Sequence, residues 1–185
     1  MQIIASKPEC AHWQAQQSPI GDQMPLKTQN AVQPTSAVQV LRRFRVVFNA
    51  VRGHFQEIEK QVGLGGAQVW ALNVVRDHPG IGVGTLAKSM DIHQSTASNL
   101  VKLLLRKELI SMRKASADRR QVELQISPSG LAILSQVPGP FEGVLPGALN
   151  QLSAASLLRL DQDLGELIAL LKADEKAAGI PLAHL

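Results

Sequence analysis

Between Val40 and Val62, apolar residues recur at spacings of three and four: Val40, Leu41, Phe44, Val47, Phe48, Val51, Phe55, Ile58 and Val62. That period marks one face of an α-helix and predicts a long amphipathic helix over residues 36–62. Thr35 or Ser36 supplies its cap, Gly63 its stop, and Arg42, Arg43, Arg45 and Arg52 its polar face. Val69, Trp70, Leu72, Val74 and Val75 predict a short helix stopping before Pro79. Val83, Leu86, Ala87 and Met90 predict another, of two to three turns. After the connection Asp91-Ile-His93, Ala97, Leu100, Val101 and Leu104 form one stripe of a helix over residues 94–107.

The period then changes. In SADRRQVELQI, Val122, Leu124 and Ile126 alternate with Gln121, Glu123 and Gln125, the pattern of a half-buried strand. Residues 109–113 and 121–126 are therefore expected to form a hairpin around a basic loop. Ser127-Pro128 restarts helix, and Pro138, Pro140 and Pro146 interrupt the region after it. From Ser153 onward, Leu157, Leu158, Leu160, Leu164, Leu167, Ile168, Leu170 and Leu171 define a leucine-rich helix with acidic residues opposite. Residues 1–35, rich in Gln, Pro and Ser without periodicity, are read as a flexible tail. The order of elements, helices around one hairpin, is that of a mainly α protein with a winged helix-turn-helix at its centre.

Charge sharpens this reading. Residues 36–126 hold 14 Lys/Arg against 7 Asp/Glu, a net of +7, while residues 127–185 hold three against six. A basic centre suggests an anionic partner, with nucleic acid first. A helix-turn-helix reads the major groove with the N-terminal part of its second helix. There the chain carries Gln94, Ser95, Thr96, Ser98, Asn99 and Lys102, small or amide-bearing groups suited to base edges and phosphates. Arg106, Lys107, Arg113, Lys114, Arg119 and Arg120 come next, with Asp118 among them. Phosphate contacts are expected from Lys102, Arg106, Lys107, Lys114 and Arg119, and minor-groove insertion from Arg120. Asp118 is expected to accept hydrogen bonds from Arg120 or the loop backbone and so aim the guanidinium. The rival reading is a winged helix that binds protein partners and does not touch DNA.

The stretches HPGIGVGTLAKSM, IHQSTASNLVKLL, and DRR before VELQISPSG resemble the MarR-type transcriptional regulators over residues 36–173. The family's wing DxR matches Asp118 and Arg120. Its recognition segment matches Ser95-Thr-Ala-Ser-Asn-Leu-Val101, and its helix restart Ile126-Ser-Pro-Ser-Gly130. The resemblance implies a homodimer joined by N- and C-terminal helices, binding a palindromic operator on double-stranded DNA, with a small ligand, oxidant or metal as modulator. It divides the chain into tail 1–35, dimerisation helix 36–62, DNA-binding lobe 63–127 with wing 113–121, and C-terminal helices 128–185. Its usual effector pocket puts Phe48, Arg52, His54, Phe55 and Trp70 forward as lining residues. The chain departs from the family pattern at Glu108, where glycine commonly ends the recognition helix, and at His93, which replaces a capping Ser/Thr. The Pro/Gly-rich stretch 137–143 breaks a helix that is usually continuous.

Other chemistry has little support. Gly80-Ile-Gly-Val-Gly84 comes after a helix and lacks a P-loop lysine, so it is read as a helix-boundary turn. There is no nucleophile-and-base spacing, and no enzyme activity or cofactor is expected. Cys10, alone in the chain, lies in the tail with Glu9 and His12, so neither redox sensing nor a metal site is expected there. With no membrane-length apolar run and no secretion-signal layout, a cytoplasmic protein is the expectation.

Overall fold

Ser36 starts the first helix, α1 (Ala37–Val62), through a reciprocal capping box with Gln39. Gly63 ends it in the left-handed conformation. The computed structural model describes residues 36–114 and 122–184. After α1 come α2 (Gly66–Asp77), α3 (Val83–Ser89), α4 (Gln94–Arg106), β1 (Ile110–Lys114) and β2 (Val122–Ile126). Next are helices α5 (Pro128–Leu134), α6 (Val144–Asn150) and α7 (Ala154–Leu171), then 3-10 turns at Glu175–Gly179 and Leu182–His184. The tail with Cys10, and wing residues Asp118, Arg119 and Arg120, lie outside the described residues.

The stripes predicted for α2, α3, α4 and β2 meet in one core with the second half of α1, while those of α7 and the first half of α1 stay exposed. Leu72 of α2, Leu86 of α3, Leu100 and Leu104 of α4 and Leu124 of β2 are all fully buried. Each such leucine contributes roughly 1.5–3 kcal/mol relative to exposure. The hairpin is antiparallel, pairing Ile110 with Ile126 through to Lys114 with Val122. It is also tied to the turn before α3: the Leu124 amide donates to the Ile81 carbonyl (3.0 Å), and the Gly80 amide to the Leu124 carbonyl (2.9 Å). The glycine-flanked turn 80–84 thus adds a one-residue bridge to the sheet that alternation in the sequence does not announce.

Glu108 resolves the helix end expected to need glycine. It adopts φ +55°, the left-handed conformation itself. Its amide donates to the Leu105 carbonyl and the Leu109 amide to the Leu104 carbonyl, both at 3.0 Å, a Schellman arrangement. Buried Leu104 and Leu109 supply its apolar contact, so Leu109 belongs to the turn and β1 begins at Ile110. Ser127 then locks the hairpin base. Its hydroxyl donates to the Glu108 carbonyl (2.8 Å), its amide to the Leu109 carbonyl (3.0 Å), and it accepts from the Gly130 amide (3.0 Å). A Cβ at Gly130 would stand 2.3 Å from the Leu109 carbonyl oxygen, so only glycine fits at this crossing.

At the end of α2, Arg76 Nε donates to Asp77 Oδ1 (2.9 Å) and Asn73 Nδ2 to Asp77 Oδ2 (3.0 Å). The hydrogen bond from Arg76 is the main reason the Asp77 carboxyl sits below its ordinary pKa. The Pro/Gly-rich stretch separates short α5 from short α6, as its prolines demand, and Pro146 falls in the first turn of α6, where no amide is needed. Among the described residues, no helix is long and apolar enough to cross a membrane.

Candidate nucleic-acid interface

Burial of Ala97, Leu100, Val101 and Leu104 against α2 and α3 turns the other side of α4 outward. On that side Gln94, Ser95, Asn99, Lys102 and Arg106 are exposed, and the spacing from Ser95 onward, four, three and four, makes a single stripe. Amide and hydroxyl groups occupy its first turns and cations its last, with exposed Lys107 just beyond. Two residues expected in this set differ from their neighbours. Thr96 and Ser98 are half-buried, and the Ser98 hydroxyl donates to the Gln94 carbonyl one turn back (2.8 Å). That bond leaves Ser98 less available for an external partner than Ser95 or Asn99.

Arg113 is exposed on β1 and stands opposite Glu123 in the ladder, and Lys114 stands opposite Val122. The hairpin therefore continues the cationic run from the end of α4 toward the wing. The pairing proposed between Asp118 and Arg120, and the place of Arg119, lie outside the described residues.

At the entry of α4, His93 makes no side-chain capping bond, as its identity foretold. Its ring instead reaches the C-terminal turn, where Nε2 donates to the Lys176 carbonyl (2.6 Å). This contact was not legible in the sequence: Lys176 lies 83 residues away, and no motif marks it.

The five residues put forward for an effector pocket are not gathered at one place. Phe55 and Trp70 line a cavity of about 330 Å³ with Val51, the α3–α4 turn (Met90, Asp91, Ile92), α6 residues such as Leu145 and Leu149, and Ile180 to Ala183. Its walls are mostly apolar, with Asp91 and Glu142 as the charged residues. Arg52 lines a neighbouring hollow of about 250 Å³ that it shares with Phe55. His54 faces another of about 130 Å³ and donates from Nε2 to the Pro140 carbonyl (2.9 Å). Phe48 lines none of these. It is half exposed on α1 and stacks on Phe44 at 6.3 Å between ring centroids.

Residues 62–121 match the model of the MarR family. Comparison with curated proteins gives no match. Among solved structures, the chain is similar to a MepR-like protein complexed with pseudoligands, at 20% identity and TM-score 0.51, over 71% of this chain and 95% of that one. It is also similar to S. aureus MepR in a complex with DNA, at 20% identity and TM-score 0.50, over 71% of this chain and 97% of that one. At such identity the likeness shows the fold alone, a winged helix, and the match to the MarR family model is confined to residues 62–121.

Proposed function

We propose that this chain is a transcription regulator that binds a palindromic operator as a homodimer. Base edges are read by Gln94, Ser95 and Asn99, with Thr96 and Ser98 at the margin. Lys102, Arg106, Lys107, Arg113, Lys114 and Arg119 hold phosphates, and Arg120, aimed by Asp118, enters the minor groove. The observation that carries this reading is the exposed stripe Ser95-Asn99-Lys102-Arg106, which grades from hydrogen-bonding to cationic along one face of the second helix of the motif.

A second copy of the chain suits the faces that the terminal helices leave open. The first half of α1 exposes Val40, Leu41, Val47 and Phe48 beside Arg42, Arg43 and Arg45; α7 exposes Leu157, Leu158, Leu170 and Leu171 beside Asp161, Asp163 and Glu166. Apolar rows flanked by opposite charges favour pairing of α1 with α7 across a two-fold axis. The mostly apolar 330 Å³ cavity among α1, α2, α6 and the α3–α4 turn is the proposed seat of a small-molecule effector that relieves repression.

Selection of bound duplexes from a random pool tests the reading. The expected result is a palindrome with half-sites about one helical turn apart. Failure to enrich any sequence overturns it.

A further inference from the structure

The chain beyond α7 returns to the winged helix, passes the entry of α4, and packs its last described turn, Leu182–His184, against α1 and α2. Asp174 opens the return by accepting from the Lys176 amide (3.0 Å), which starts the 3-10 turn Glu175–Gly179. The end of that turn meets His93 at two points. The His93 amide donates to the Gly179 carbonyl (3.1 Å), and its ring Nε2 donates to the Lys176 carbonyl (2.6 Å). Gly179 lies so close that a Cβ on it would stand 2.6 Å from the imidazole ring. Its φ lies outside the left-handed region, so the constraint there is steric. Pro181 is buried and Ala183 packs on the core, which fastens the far end of the segment.

His93 is the residue immediately before α4. A helix start without a side-chain cap leaves its first amides poorly satisfied and prone to fray. Here the two strap carbonyls do not reach those amides; they hold His93 itself, the residue on which the first turn is built, from a segment beyond the range of the family resemblance. We propose that residues 174–184 form a strap that fixes the entry of α4, with His93 as a positioning residue that holds Gln94, Ser95 and Asn99 in register for DNA. The proposal rests on the reading of α4 as the DNA-reading helix.

Two variants release the strap by different routes: truncation after Ala173, and Gly179→Val in the full chain, which drives a side chain into the imidazole. Hydrogen exchange reads the strap without any DNA. Exchange at the Ala97 and Ser98 amides should rise roughly tenfold in both variants. Affinity for the selected duplex should fall roughly tenfold, with non-specific binding and the salt slope unchanged, because phosphate contacts remain. His93→Ala should behave alike, and His93→Gln, which keeps a donor, should recover part of the loss. Unchanged exchange in both variants overturns the strap, as does faster exchange with undiminished operator affinity. If exchange rises but the parent chain itself binds no duplex, the DNA reading has failed and the positioning role falls with it, while the strap's hold on α4 stands.

Discussion

The winged helix and the terminal helices use the same side chains to opposite ends. Leu72, Leu86, Leu100, Leu104 and Leu124 are wholly withdrawn from solvent by one another's helices and by the hairpin. Over the 18 residues of α7 nothing is buried, and Leu170 is 81% exposed. A row of leucines at helical spacing says that a face is to be covered; it does not say by what. In the lobe the cover comes from the chain itself, including Val51, Phe55 and Ile58 of α1, whereas α7 and the first half of α1 meet no such cover among the described residues.

Leu104→Ala should have the largest effect on stability. It opens a cavity in the lobe core and should cost about 2–5 kcal/mol, read as a fall in the denaturation midpoint. Leu170→Ala removes the same atoms from an uncovered face and should change monomer stability by less than about 0.5 kcal/mol. Equal losses at the two sites would erase the contrast. Replacing Leu158 and Leu170 together by lysine should abolish association in sedimentation while leaving the near-ultraviolet signal of Trp70 intact. A dimer that survives both charges would place its interface elsewhere. A modest gain is expected at the turn after α4. Glu108→Gly removes the cost of a left-handed side-chain-bearing residue and should stabilise the lobe by about 0.5–1 kcal/mol, net of the glycine's greater unfolded-state freedom. A loss there would mean that the Glu108 side chain does more than occupy the turn.

Periodicity was enough to read α1 to α4 and α7, because an amphipathic helix writes its apolar face at intervals of three and four; α6, short and without a buried residue, was missed among the prolines. Ser36, Gly63 and Ser127 were legible as caps for the same local reason. The left-handed conformation of Glu108 could be inferred only as a need, since the chain there lacks the residue that normally meets it. Contacts formed across long separations left no periodic trace: the Ile81 bridge to Leu124, the His54 bond to Pro140 and the return of residues 174–184 to His93. The candidate interface was legible as a list of exposed polar and basic residues on α4. The half-burial of Thr96 and the turn-back bond of Ser98 needed the packed structure, because a helical wheel assigns both to the edge of the outward face. The pocket residues dispersed because position along α1 does not say which side of the helix faces the cavity, and Phe48, His54 and Phe55 point to three different surroundings.

The central claim is that the outward stripe of α4 meets DNA, and affinity for the selected duplex across a salt series tests it most directly. The parent chain should bind with a steep salt dependence, and Lys102→Ala and Arg106→Ala should each weaken binding and reduce the slope by about one. Affinity and slope that stay unchanged in both variants would contradict it.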